Sequence, residues 1–218
     1  MRFDLITIFP EIFNSYINES ILKIAQKKKK IEIRVHNLRD YTFDRHHTVD
    51  DKPYGGGPGM LLMVEPFYKA LKKIKRAKKS RVIMLDPAGK KFDQKMAHKF
   101  AGLDQVIMLC GRYEGFDERI KKLVDERVSI GDFVLSGGEL PAMVIVEATA
   151  RLIPGVLGKA ESLKEESFSK ELQYFAEYPQ YTRPEAFKAG KAIWRVPPVL
   201  LSGNHRKISE WRGKRRKN

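Results

Sequence analysis

The sequence predicts an α/β fold built on a largely parallel sheet. Three observations lead there. Short apolar runs alternate with helical patterns, Gly-rich turns follow several of the apolar runs, and a 42% hydrophobic content over 218 residues is enough to bury a core. Residues 3–9 (FDLITIF) read as the first buried strand and 20–25 (SILKIA) as a helix. Residues 31–35 (IEIRV) are a second strand. In 66–74 (PFYKALKKI) apolar residues recur at helical spacing behind a proline. Residues 81–85 (RVIML) and 105–109 (QVIML) are near-continuous apolar runs of strand length with the helix 94–101 between them. A helix over 118–124 leads into a strand over 127–130. The alternation stops after 140–152, a helix long enough to be a packed core element and closed by Pro154 and Gly155.

Beyond that helix the composition shifts. Residues 159–180 (KAESLKEESFSKELQYFAEYPQ) are polar and irregular and read as a linker. It joins a domain over 1–158 to a small C-terminal segment over 181–218, which is below the size that usually folds alone. The tail from 205 to 218 carries Arg206, Lys207, Arg212, Lys214, Arg215, Arg216 and Lys217 against the single acid Glu210, with Trp211 among them. No internal repeat or long low-complexity tract is present.

Bulk composition excludes several classes. A single cysteine, Cys110, rules out an internal disulfide framework and a cysteine-rich zinc site, and points to a reducing cytoplasm. The N-terminal MRFDLITIFPEIF holds Asp4 and Pro10 within its apolar part and has no small-residue cleavage site. No apolar run reaches membrane length, so neither export nor a membrane partner is expected. The 42 Lys and Arg against 27 Asp and Glu give a net charge of +15 and a pI near 9.8, the footprint of a polyanion partner. A surface rich in charge for high-temperature stability would keep the two signs balanced.

Chemistry concentrates in three turns. DDKPYGGGPGM (50–60) lacks the Lys-Ser/Thr ending of a phosphate-binding P-loop and the spacing of a dinucleotide fingerprint; its glycines serve a close approach to a flat ligand or a mobile turn. LCGRYEGFDER (109–119) lies where a strand gives way to a helix, the place where open parallel sheets bind ligands, and crowds Arg112, Glu114, Asp117 and Arg119 around two glycines. A salt-bridged turn would look the same. SIGDFVLSGGELPAM (129–143) exposes backbone at Gly131, Gly137 and Gly138, suited to the edge of an adenine, with Ile130, Leu135 and Pro141 to cover its face. Alternatively, those glycines let two backbones pack together. With LDPAG (85–89), these strand-end turns can converge on one crevice.

In order, DDKPYGGGPGM, LCGRYEGFDER, SIGDFVLSGGELPAM, RLIPGVLG, YTRP and VPPVLLSGNH resemble the bacterial tRNA (guanine-N1)-methyltransferases of the SPOUT superfamily. The resemblance implies a SPOUT-type trefoil-knotted parallel-sheet domain, with the knot around residues 85–140, and a small helical C-terminal domain that binds tRNA. It implies an S-adenosyl-L-methionine pocket at Leu85, Pro87, Gly111, Tyr113, Glu114, Ile130, Gly131, Asp132, Phe133, Val134, Leu135, Gly138 and Pro141. It also implies a cytoplasmic homodimer with each active site at the subunit interface, acting on tRNA and not DNA. A magnesium requirement is left open, and no metal-ligand cluster is expected.

The family methylates N1 of the guanine immediately 3′ of the anticodon. That nitrogen carries a proton at neutral pH, so the reaction needs a base and a donor to steady charge on O6. The helix-ending arginine of the family matches Arg151, which at a helix C-terminus is also favoured by the macrodipole alone. The family's aspartate before Ser-Phe corresponds here to Glu166, a departure that adds a methylene; Glu165 and Glu161 are its neighbours in a charged run. RNA contacts are expected at Asp50, Tyr54, Gly59, Ser167, Thr182, Arg183, Arg206, Lys207 and Trp211. Trp211 either stacks on a base or serves as a buried anchor. Residues 188–195 look like an insertion before VPPVLLSG. An RNA-binding protein of the same fold without activity, and a methyltransferase for another RNA, are the alternatives.

Overall fold

The computed structural model describes residues 1–157, 167–169 and 176–215. The chain divides into two compact units, Met1–Gly158 and Lys159–Asn218.

The first unit is built on β1 (Arg2–Thr7), β2 (Glu32–Asn37), β5 (Ser80–Lys91), β6 (Gln105–Leu109) and β7 (Glu126–Ser129), with a short β3 (Asp50–Asp51) and β4 (Leu61–Leu62) pairing apart from them. The five strands form one sheet in the order β2-β1-β6-β5-β7, and every pairing in it is parallel. Composition follows position. Every residue of β6 (QVIML) is buried between two neighbours, whereas the edge strand β2 (EIRVHN) stays partly exposed. The strand expected over 3–9 ends at Thr7, since Phe9 and Pro10 lead into a 3-10 turn, Pro10–Phe13.

Side chains of the strands alternate between two cores, as the period of two demands. Phe3, Leu5, Ile83, Leu85, Val106 and Met108 face one; Ile6, Val82, Met84, Ile107 and Leu109 face the other. The helices α1 (Asn14–Ile17), α2 (Ser20–Lys27), α3 (Val64–Lys73), α4 (Gln94–Ala101) and α5 (Glu139–Ala150) lie along this unit. The first core is covered by Phe13, Ile17, Leu22, Phe100, Ile145 and Val146, the second by Phe67, Ala70 and Ile120. Phe13, Phe67 and Phe100 are fully buried, each contributing about 1.5–3 kcal/mol against exposure. Asp93 caps α4 by accepting a hydrogen bond from Met96 N at 2.8 Å. The helix expected over 118–124 is a 3-10 segment, Glu118–Leu123: six residues are capped by Asp117 and stopped by the extended backbone of Val124.

One buried charge sits on the sheet. Asp4 is 1% exposed and accepts from Arg2 at 2.9 Å and Gln105 at 2.7 Å, with His36 Nε2 at 2.8 Å. Burial pushes its carboxyl up, but the hydrogen bonds of His36, Gln105 and Arg2 outweigh that and hold it below its ordinary value of 3.8.

The second unit holds helices, as expected of it, and a strand pair besides. It contains a two-stranded antiparallel hairpin, β8 (Ala186–Ala189) and β9 (Ala192–Arg195), followed by α6 (Pro198–Leu201) and α7 (His205–Arg215). The loop is two residues, Gly190-Lys191, and Gly190 takes φ +61°, as tight hairpin turns require. The residues that looked like an insertion are therefore most of this hairpin.

Candidate active site

A cleft of about 370 Å³ opens at the carboxyl ends of β5, β6 and β7, where parallel sheets bind ligands. Its walls come from three strand-end segments. Leu85 and Pro87 lie within β5, where its pairing with β7 is interrupted; Gly111, Tyr113 and Glu114 follow β6; Ile130, Gly131, Phe133, Val134, Leu135, Gly138 and Pro141 follow β7. Of the expected donor-pocket residues, Asp132 alone does not line the cleft. Its exposed carboxylate pairs with Lys91 instead.

Glycines set how closely these segments approach. A methyl group on Gly138 would stand 2.7 Å from Cys110 Cα and 2.8 Å from Gly111 N, both backbone atoms. The same turn is pinned by a hydrogen bond from Gly138 N to Gly111 O at 2.9 Å and by an antiparallel bridge between Arg112 and Gly137. A methyl on Gly89 would meet the backbone of Arg127 and Val128 at 2.6 Å. Between Leu85 and Lys90 the pairing of β5 with β7 breaks register, so the LDPAG turn bulges at the mouth of the cleft.

The loop after β6 is stitched to the β4 segment: Leu62 N donates to Gly115 O, Asp117 N to Leu62 O, and Glu114 N to Met60 O, at 2.9–3.1 Å. Tyr113 adopts φ +57°, a strained conformation for a side-chain-bearing residue. Gly59 abuts the Glu114 side chain so closely that any Cβ there would strike it. The loop over 50–60 and the cleft are thus one continuous surface.

Behind the cleft lies an interaction that the sequence pattern did not disclose. Glu139, the first residue of α5, is 2% exposed, accepts from Thr7 Oγ1 at 2.7 Å, and pairs with Arg112 Nε at 3.2 Å. Its position at a helix N-terminus favours the negative charge, and Pro141 in the same first turn forfeits only an N–H that has no helical partner. The Arg112 guanidinium also lies 4.6 Å from the centre of the Phe9 ring. Asp86, Asp117, Glu118 and Ser129 likewise line the cleft and were not singled out as ligands. Their signal was available only in part, as the carboxylates in LDPAG and GFDER.

S-adenosylmethionine is a flat purine joined to a cationic sulfonium and an amino acid, and the cleft offers apolar faces at Leu85, Ile130, Leu135 and Pro141 beside the carboxylates of Asp86, Glu114 and Asp117. The Asp117 carboxyl is held low, chiefly by its hydrogen bond from Arg119. The residues fit the group. Among the described residues no cluster of three or more His, Cys, Asp or Glu side chains is placed to hold a metal ion, and no helix is long and apolar enough to cross a membrane.

The remaining expected site residues fall elsewhere. Arg151 is the C-cap of α5, with its N–H directed to Glu147 O at 3.2 Å. Asp50 pairs with Leu62, and Tyr54 is fully exposed. In the second unit Ser167 and Glu177 bond reciprocally at 2.9 and 3.0 Å. Thr182, Arg183 and Lys207 are exposed, and Arg206 pairs with Glu210. Trp211 is half-buried with its ring 6.4 Å from that of Tyr181 and the Arg215 guanidinium 5.6 Å away. Glu166, with Glu165 and Glu161, lies outside the described residues.

Comparison with known proteins agrees with this geometry. The family model described as tRNA (Guanine-1)-methyltransferase TrmD matches residues 1–218. A tRNA (guanine-N(1)-)-methyltransferase of Dictyoglomus turgidum is 52% identical over 214 residues, covering 98% of this chain and 84% of the relative. Those of Carboxydothermus hydrogenoformans and Staphylococcus carnosus are 54% and 48% identical, covering 98% and 97% of this chain and 82% and 84% of theirs. The chain belongs to the tRNA (guanine-1)-methyltransferase family.

Proposed function

We propose that this protein transfers a methyl group from S-adenosylmethionine to N1 of the guanine immediately 3′ of the anticodon in tRNA. The observation that carries the reading is the strand-end cleft, where backbone of the 130–138 segment, apolar covers and the carboxylates of Asp86, Glu114 and Asp117 meet, continuous through Gly59 with the 50–60 loop. When bound, the donor supplies an electrophilic methyl on a sulfonium. The chain's part is to hold it, exclude water, and take a proton from the guanine.

Leu85, Ile130, Leu135 and Pro141 sandwich the purine, while backbone groups of the 130–138 segment meet its polar edge. Glu114 and Asp117 face the cationic side and favour positive charge there. Glu166 takes the N1 proton, and Arg151 steadies the negative charge that develops on O6. The backbone contacts at Gly138 with Cys110 and at Gly89 with Val128 are the close passages that a threaded chain needs, and the knot is part of this proposal.

A homodimer is part of the proposal, and distances within one protomer support it. Gly138 and Arg151 bracket the twelve residues of α5, which puts them roughly 18 Å apart along the axis. An arginine that far from its own cleft serves the cleft of a second copy. Leu140 and Val144, one turn apart on α5, are 56% and 45% exposed, an apolar stripe suited to such a contact. The enzyme works in the cytoplasm, where its tRNA is found.

The test is direct. Labelled donor and unmodified tRNA with guanine 3′ of the anticodon should yield label at N1 of that base, and tRNA with adenine there should not. No incorporation into the guanine tRNA would overturn the proposal.

A further inference from the structure

The β8–β9 hairpin carries an apolar load that the described residues of its own unit leave more than half exposed. Its register pairs Phe187 with Trp194 and Ala189 with Ala192 on one face, and Ala186 with Arg195 and Lys188 with Ile193 on the other. Phe187, Ile193 and Trp194 are 54%, 55% and 66% exposed. An isolated two-stranded hairpin is marginal in water, and aromatic rings on it are usually spent on a core. Here the Phe187 and Trp194 rings contact only each other among the described aromatic pairs, with centroids 5.9 Å apart and planes tilted by 41°.

The charge around those rings is one-sided. Lys188, Lys191 and Arg195 lie on the hairpin and are exposed, and Glu185 is the one acid next to it. Because side chains alternate, Lys188 and Arg195 point away from the ring face and Lys191 stands at the tip. The finger therefore has a stacking face, a cationic back and a cationic tip. A protein partner suited to the rings would need acids matched to three cations around a ring pair. Single-stranded nucleic acid supplies both features in each nucleotide, a base with a π-face and a phosphate.

We propose that this hairpin is a stacking finger for an unpaired base of the substrate RNA, with Phe187 and Trp194 holding the base and Lys188, Lys191 and Arg195 holding adjacent phosphates. It rests on the reading that the substrate is tRNA, and it adds an RNA contact made by the second unit. Double-helical regions offer no exposed base faces, so the nucleotide held lies in a loop or at an end.

Trp194→Leu keeps apolar bulk and removes the π-face, which separates stacking from simple burial. In the full-length protein it should weaken tRNA binding about ten- to a hundredfold, the usual worth of one stacked base, with donor affinity and melting temperature unchanged. Trp194→Phe should retain most of the affinity. In a Trp211→Phe background Trp194 is the single tryptophan, and adding tRNA should quench its fluorescence. Wild-type affinity in Trp194→Leu, or no quench on a tRNA that binds, would overturn the finger. Loss of a dimer in Trp194→Leu by sedimentation, with tRNA affinity per dimer intact, would assign the rings to a second copy and overturn it too. A wild-type protein that binds tRNA but transfers no methyl group would sink the proposed activity alone, since the finger is read by binding.

Discussion

Gly138→Ala adds one methyl group where two backbone segments pass closely beside the cleft. The residue has φ −84°, so the substitution carries no backbone strain of its own and its whole effect is steric. The new Cβ would stand 2.7 Å from Cys110 Cα and 2.8 Å from Gly111 N. Ordinary carbon contacts lie near 3.5–4.0 Å, so the two segments must part by roughly 1 Å. Neither side can yield cheaply: Cys110 is 1% exposed and packed in the core, and Gly138 begins α5. Overpacking of this kind costs about 1–3 kcal/mol, which for a chain of this length lowers the melting temperature by roughly 2–12 °C. The same movement breaks the 2.9 Å hydrogen bond between Gly138 N and Gly111 O and displaces the backbone that meets the purine. Donor affinity should fall about tenfold or more by titration calorimetry, with tRNA binding kept. Gly102→Ala is the control, since its Cβ would find only ordinary contacts from 3.5 Å outward, and it should be neutral or slightly stabilising. A Gly138→Ala protein with wild-type melting temperature and donor affinity would refute the reasoning that this close approach shapes the pocket.

Glu139→Gln keeps the shape of the side chain but strips Arg112 of its charged partner. Thermal melts should show a loss of about 1–3 kcal/mol, and donor affinity should drop because Arg112 lines the cleft. Asp4 has a folded pKa below its unfolded one, so its contribution is full above about pH 4 and is lost as pH falls through the folded value. Denaturant titrations should therefore show wild-type stability declining more steeply than that of Asp4→Asn below pH 4; parallel curves would dismiss Asp4 as a source of acid lability. Glu166→Gln should slow single-turnover methyl transfer by about two to four orders of magnitude with donor and tRNA binding nearly unchanged, whereas Glu165→Gln should be mild. A collapse in Glu165→Gln instead would move the base by one residue.

What could be read in advance depended on how local its cause was. The strand QVIML announces a position covered on both faces because all five of its residues must be hidden, and it is central in the sheet. Turns such as LCGRYEG and SIGDFVLSGG mark strand ends because glycine is needed there, and both line the cleft. The hairpin over 186–195 escaped notice for a comparable reason: Ala and Lys support a helix as readily as a strand, and only the Gly190-Lys191 turn separates the alternatives. The Thr7–Glu139–Arg112 cluster had no local signal at all. Thr7 and Glu139 are 132 positions apart and meet because β1 sits beside β6 in the sheet order. That order also says what the cluster is for. Thr7 ends β1, Arg112 follows β6 and Glu139 follows the loop after β7, so one buried carboxylate ties together the ends of three chain segments. Gly137 belongs to the same device. A side chain there would strike Arg112 Nε at 2.3 Å and Glu139 Oε2 at 2.5 Å, so the residue is small because the ion pair already fills the space. The two adjacent glycines thus answer to different demands, Gly138 to a passing backbone and Gly137 to a buried charge. Both demands keep the 130–138 segment, whose backbone meets the purine in the proposed complex, in one position before any ligand arrives.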